Sequence, residues 1–325
     1  MNNFNSSFFI RNRQKLRDLA KSDLIVLTAN GLIQKTRDDD AYPFAQEGNF
    51  WYLTGLNEPD IVLVVDQNEE YLILPNRSER FQYFSGETDV EQIKKTSGIS
   101  GVYDEKSGWD KLTKSVKKSK TIGTIKPSSE YDKLYDIYTN PAARRLLKRI
   151  KSKNSKIKTE DIKKIIVGLR ETKYPEEIEA IKKAISHTQK MLYKISDNFN
   201  EYKNEKDIEA ELAYYGVKNN LKNAFAPIIA NGKNACTLHY QSNDSDIDKS
   251  AITLIDMGYS YDSYCADITR CIIKKPSARH LQVHGAVIEI SDFAHNILKP
   301  GILPRDYEIS VAKFAGEKLK ELGLI

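Results

Sequence analysis

Short apolar runs alternate with polar, amphipathic stretches from Asp23 to about Ile125. The clearest are Asp23 to Thr28, Ile61 to Val65 and Tyr71 to Pro75. Runs this short, rich in β-branched residues and bounded by turn formers, predict strands, and their alternation with amphipathic segments predicts an α/β domain. Asp66 to Glu70 reads as the turn of a hairpin, and Thr121 to Ile125 as a late strand after a helix near Trp109 to Val116. A mixed sheet with helices is the expectation for this first domain.

Further along, the period changes. Leu169 to Pro175 is the candidate boundary, giving domains of residues 1–168 and 169–325. Pro175 suits the first turn of a helix, where its missing N–H is not needed. Ile178, Ile181, Ile185, Leu192 and Ile195 then recur at helical spacing and predict one apolar face on a long helix. Asn204 is a candidate N-cap for a second helix with Ile208, Leu212 and Tyr215 on one side. Ser277 is expected to cap a third helix stopped near Leu298 by Lys299, Pro300 and Gly301, and a fourth covers about Tyr307 to Leu322. Between the second and third lie strand-like runs at 226–230, 251–256 and 266–273.

Composition narrows the class. With 325 residues, 40% hydrophobic and 29% charged, the chain has the make-up of a globular protein and room for two cores. Its 50 basic and 45 acidic residues nearly cancel, which argues against a nucleic-acid partner. The densest basic stretch holds ten Lys and Arg between Arg144 and Lys164, offset only by Glu160 and Asp161. It lacks interleaved aromatics and reads as a solvated helix face and linker. Three cysteines without a CxxC pair suit a reducing compartment. No apolar run has the length of a signal peptide or a membrane span, so the expected address is the cytoplasm, with no membrane partner.

Candidate chemistry concentrates in the second domain. Asp256 ends an apolar strand and Asp267 lies near the start of the next, with a turn between them. An antiparallel hairpin can set two such carboxylates side by side on one face. Their repulsion favours a proton on one of them or a divalent cation between them. Aspartates beside turns are also common as turn formers, and the spacing alone leaves both readings open. His239, shortly before the hairpin, could donate to a substrate carbonyl or oxyanion, or be a structural histidine beside Tyr240. His187, His280, His284 and His295 fall on predicted helices and read as surface or packing residues. The i, i+4 pair His280 and His284 lacks an acidic partner. Serine-hydrolase elbow, P-loop and HExxH patterns are not found in the sequence.

Tyr42 to Pro59, Arg170 to Ile178, Asn231 to Tyr240, and Leu254 to Gly258 continuing through Tyr261, Tyr264 and Asp267 to Arg270 carry a resemblance. Together, and nearly end to end, the chain resembles aminopeptidase P, the Xaa-Pro aminopeptidase branch of the pita-bread metallopeptidases. The resemblance implies an α/β (α+β) fold in which a mixed-sheet N-terminal domain precedes a pita-bread catalytic domain. It implies a metalloaminopeptidase that removes the residue before a penultimate proline through a hydroxide held between two metal ions. Asp256 and Asp267 would be metal ligands and His239 a catalytic, substrate-binding residue. The metals would be two Mn2+, with Zn2+ or Co2+ as alternatives, the partner a peptide with an Xaa-Pro N-terminus, and the full-length enzyme a homo-oligomer. A complete site of this kind adds one histidine and two glutamates not matched before Ile325, so the expectation is a catalytically incomplete fragment of a longer enzyme. A prolidase-type dipeptidase or creatinase-like hydrolase on the same fold, and a metal-free peptide-binding module, are the alternatives.

Overall fold

The computed structural model describes residues 4–37, 40–127, 134 and 138–325 and divides into two units, Met1–Glu179 and Ala180–Ile325. In the first unit, strands β1 (Leu24–Thr28), β2 (Val62–Val65), β3 (Glu70–Ile73), β4 (Gly101–Tyr103), β5 (Thr121–Thr124) and β6 (Lys158–Asp161) form one sheet in the order β4-β3-β2-β1-β5-β6. Strand β2 runs antiparallel to both neighbours, and the β3–β4, β1–β5 and β5–β6 pairs are parallel. This is the mixed sheet the apolar runs predict. The β2–β3 turn forms where expected, because Asp66 Oδ1 accepts from the N–H groups of Asn68 and Glu69, each at 2.8 Å.

Helices cover both faces of this sheet. Leu24, Val26, Val64, Tyr71 and Ile122 pack with Trp109, Leu112 and Val116 of α5 (Glu105–Lys118) and Leu146 and Ile150 of α6 (Ala142–Lys153). Elsewhere in the unit, α1 (Ser6–Leu19) packs with α2 (Gly48–Thr54), α4 (Val90–Ser97) and α7 (Lys163–Glu171); the seven-residue α3 (Glu79–Ser85) buries none of its residues. The fully buried Arg13 of α1 donates to Leu53 O and to Glu70 Oε1, both at 2.7 Å, so its charge is paired where water is excluded. Helix α2 is capped at its start by Glu47, which accepts from Phe50 N at 2.7 Å. It ends at Gly55, where φ is +70° and a Cβ would lie 2.4 Å from the Phe9 ring, so glycine serves both the left-handed turn and the close packing.

The basic stretch departs from its reading in part. Its helix, α6, buries Ala142, Leu146 and Ile150 and turns its charges outward, as a solvated face should. The remainder is no linker, because Lys158–Asp161 pairs with β5 and forms the sheet edge. A four-residue edge strand with the sequence Lys-Thr-Glu-Asp presents charge where another chain could pair.

In the second unit, α8 (Pro175–Asp197), which begins at the end of the first, and α9 (Glu205–Lys218) share a core with a three-stranded antiparallel sheet. Its order is β12 (Ile268–Ile272), β9 (Thr253–Met257), β8 (Ile228–Asn231). A smaller sheet of β11 (Tyr264–Cys265), β10 (Tyr259–Tyr261) and β7 (Lys222–Asn223) lies beyond the same hairpin. Asn204 caps α9 as expected, in a capping box with Asp207. The α8 face differs from its prediction. Ile178 is exposed and Ile181 and Ile185 are only partly buried, while Ala180, Ala184, Thr188, Met191 and Ile195 face inward. Small side chains are needed there because the hairpin backbone comes close enough for Tyr259 N to donate to Thr188 Oγ1 at 3.0 Å. Helices α10 (Ala278–Ile297) and α11 (Pro304–Glu321) pack on each other, with Phe293 and Phe314 stacked at 4.4 Å.

Candidate active site

The hairpin that carries the two aspartates keeps one register along its length. Tyr261 lies opposite Tyr264, Ser260 opposite Cys265, Met257 opposite Ile268 and Asp256 opposite Thr269. Its turn residues, Asp262 and Ser263, have φ of +47° and +68°, the left-handed pair that matches the twist of a two-residue hairpin. That register sets Gly258 across from Asp267 and makes Asp256 and Asp267 diagonal neighbours on one face. Burial along β9 alternates accordingly: Thr253, Ile255 and Met257 point into the core, whereas Leu254 and Asp256 are half-buried on the other face.

Neighbouring residues hold this geometry. A Cβ on Gly258 would sit 1.7 Å from Ala266 O, so the two backbones approach more closely than any side chain permits. The next residue, Tyr259, is fully buried and donates through its hydroxyl to Leu212 O at 2.8 Å. Gly216 of α9 makes room for that ring, since a Cβ there would lie 3.3 Å from it. Thr269 donates to Asp256 Oδ1 at 2.8 Å, fixing the carboxylate from the facing strand. Asp267 holds its proton above the ordinary carboxylate range, through partial desolvation and then the charge and hydrogen bond of Asp256.

His239 lies elsewhere in the same unit. It is exposed, just after the 3₁₀ turn Gly232–Cys236, at the tip of a loop that leaves β8 and returns before β9. Strand β8 pairs directly with β9, with Ile228 opposite Asp256, so the loop is rooted beside the aspartate hairpin. The other histidines have their own partners or stand in solvent. His187 Nδ1 is 3.0 Å from Tyr215 Oη and its ring stacks on Tyr261. Burial and then Lys190 lower its proton affinity. His280 Nδ1 accepts from Ser277 N, completing a capping box, His295 Nδ1 contacts Ser291 O at 2.8 Å, and His284 is exposed.

Two carboxylates on one face, one of them resisting ionisation through desolvation and then through the charge of the other, fit a hard divalent cation, which removes the repulsion between them. Among the described residues no group of three or more His, Cys, Asp and Glu is placed to hold a metal ion. Gly258 and Thr269 lie within the resembling segments without a role assigned to them there, and Glu205, the buried first residue of α9, belongs to no motif. A threonine on a strand and a glutamate in the first turn of a helix are ordinary there, and only burial and cross-strand register mark them.

Comparisons with known proteins fall on both units. Residues 179–324 match Metallopeptidase family M24, and residues 9–123 match Aminopeptidase P, N-terminal domain. An Xaa-Pro aminopeptidase of Escherichia coli is 24% identical over 302 residues, covering 88% of this chain and 67% of that protein. A probable Xaa-Pro aminopeptidase of Sordaria macrospora is 26% identical over 314 residues, covering 95% of this chain and 52% of that protein. An Xaa-Pro dipeptidase of Pyrococcus furiosus is 27% identical over 282 residues, covering 86% of this chain and 72% of that protein. The chain thus spans between about half and about two thirds of the length of the first two curated relatives. Among solved structures, a putative aminopeptidase P from Bacillus anthracis superposes with a TM-score of 0.87 at 27% identity, over 99% of this chain and 78% of that one.

Proposed function

Because the chain belongs to metallopeptidase family M24 and carries the aminopeptidase P N-terminal domain ahead of it, we propose that it serves the hydrolytic removal of the N-terminal residue from peptides with proline in second position. The observation that carries this reading is the Asp256–Asp267 pair, set on one face by the hairpin register, with desolvation and then Asp256 raising the proton affinity of Asp267. Asp256 and Asp267 would hold divalent cations, with manganese favoured by the oxygen donors and Zn2+ or Co2+ as alternatives. Such a cation, when bound, supplies Lewis-acid polarisation of the scissile carbonyl and lowers the pKa of a water.

The chain's own residues contribute orientation and proton control. Thr269 holds one oxygen of Asp256 from the facing strand and so orients the carboxylate. Asp267 binds its proton more tightly than an ordinary carboxyl group, through desolvation and then the charge and hydrogen bond of Asp256, so a bound cation would change its charge state. His239, exposed on its loop, would donate to the substrate carbonyl or to the developing oxyanion. Free, exposed Cys236, Cys265 and Cys271 are in keeping with a reducing, cytoplasmic setting. Among the described residues no helix is long and apolar enough to cross a membrane.

The test is cleavage of an Xaa-Pro peptide by the intact protein after chelation and return of Mn2+. Release of the N-terminal residue that depends on the cation and disappears in Asp267→Asn is the expected result. Release by chelated protein, or undiminished release by the variant, would remove the aspartate pair from the reaction. The likeness to the Pyrococcus furiosus dipeptidase supports a second reading, an Xaa-Pro dipeptidase. Turnover of a dipeptide with none of a longer Xaa-Pro peptide would select it.

A further inference from the structure

The loop that carries His239 is tied down by a buried carboxylate outside the aspartate pair. Glu205, the first residue of α9, is fully buried, and its two oxygens accept four hydrogen bonds. Oε1 accepts from Asn231 N at 2.7 Å and from Asn234 Nδ2 at 3.1 Å. Oε2 accepts from Tyr240 Oη at 2.8 Å and from Ser245 N at 3.0 Å. All four donors belong to the stretch from Asn231 to Ser245, so one side chain grips the start, the middle and the return of a single loop. His239 is next to one of them.

The grip is reinforced from outside the loop. Glu205 N donates to Ser245 O at 2.9 Å, and Asn204 Nδ2 donates to Asp244 O at 3.0 Å. At the base, the buried Asn243 accepts from Ile229 N at 2.9 Å and donates to Pro227 O at 3.0 Å, with its own φ at +47°. Asn231 donates to Thr253 Oγ1 at 2.8 Å, which joins the loop to β9, the strand of Asp256. A carboxylate at the start of a helix also meets the positive end of the helix dipole. Four donors converge on the two oxygens of Glu205, and Asn234 Nδ2 also donates to Tyr240 Oη at 3.1 Å, so the hydroxyl accepts from the loop while it donates to Glu205. Tyr240 remains a donor, since desolvation and the bond to Glu205 both raise its hydroxyl's proton affinity, outweighing Ser245's opposing contribution.

We infer that Glu205 is a positioning residue: its carboxylate, acting through Tyr240, Asn234 and Ser245, sets the conformation of the loop that presents His239 next to the β8–β9 pair. Glu205 itself is fully buried and would act only through these loop residues. The inference rests on the proposed role of His239, but its geometry is independent of any turnover.

The experiment is carried out on the intact protein and its Glu205→Gln and Tyr240→Phe variants, with the His239 imidazole followed by NMR and amide exchange by mass spectrometry. In Glu205→Gln an amide must face four donors with a single acceptor oxygen. We expect at least tenfold faster exchange over residues 231–245, a shifted or broadened His239 signal, and unchanged protection in α8 and β9. Tyr240→Phe is expected to move the same signal less. An unchanged His239 signal and unchanged loop exchange in folded Glu205→Gln would overturn the inference. A uniform rise in exchange across the second unit would also overturn it, by making Glu205 a general support of the fold. Neither readout uses peptide cleavage, so lack of Xaa-Pro activity in the unaltered protein would count against the proposed reaction and leave this inference to be decided by the spectra.

Discussion

The central strands of the first unit's six-stranded sheet are buried on both faces, whereas the β12-β9-β8 sheet of the second buries one face and leaves the other half open. Strands β1 and β2 are buried at nearly every position. Strand β9 instead alternates, and β12 is exposed at Thr269, Arg270 and Cys271. A sheet covered by helices on both sides demands unbroken apolar runs, while one-sided burial frees every second position for polar groups. Asp256 stands at such a position. One region is built of residues that pack, whereas the other sets two carboxylates near each other on a half-open face, where the proposed cation would relieve their repulsion.

The largest expected effect tests the packing side. Phe9 is fully buried among Phe4, Phe8 and Trp51, and Phe9→Ala should lower stability by about 3–5 kcal/mol, as read from denaturant unfolding. Manganese affinity measured by calorimetry should be unchanged in the folded variant. A loss of affinity would break the separation between the two regions.

Gly258→Ala comes next and should strike both properties. A methyl group 1.7 Å from Ala266 O forces the hairpin strands apart, which should cost about 1–3 kcal/mol as overpacking and weaken cation binding at least tenfold. Normal affinity in this variant would mean that the aspartates do not depend on the hairpin register. Thr269→Val is milder. It removes the 2.8 Å bond to Asp256 Oδ1, worth about 1 kcal/mol, and should loosen cation binding roughly fivefold by that amount while leaving the unfolding midpoint close to that of the parent.

The smallest effect is electrostatic. In the folded protein Asp267 binds its proton more tightly than the ordinary carboxyl value of 3.8, because of desolvation and Asp256. Stability from this group is therefore complete below the unfolded-state pKa and is lost as pH rises through the raised folded value. With chelator present, Asp267→Asn should gain on the unaltered protein as pH climbs from that ordinary value through the raised one. A difference that stays flat across this window would show that the two carboxylates do not feel each other.

Much of this contrast is legible in the sequence, for physical reasons that also mark where legibility stops. Two-sided burial writes itself as runs such as Ile61 to Val65, and the caps at Asn204 and Ser277 announce their helices. The adjacency of Asp256 and Asp267 follows from strand-turn-strand spacing. The inward face of α8 does not follow, because a helix pressed against a hairpin backbone uses Ala180, Ala184 and Thr188 in place of the more hydrophobic isoleucines beside them. Strand β6 hides inside a charged stretch because an edge strand needs little apolar surface. Glu205 is unreadable for a different reason: its four donors come from residues 26 to 40 positions away in the chain.

The most direct test of the aspartate pair is cation-dependent release of the N-terminal residue from an Xaa-Pro peptide by the intact protein, compared with Asp256→Asn and Asp267→Asn. The account predicts release that needs added Mn2+ or a substitute divalent ion, and that falls by at least a hundredfold in either folded variant. Release at the parental rate in the variants, or without any divalent ion, would contradict it.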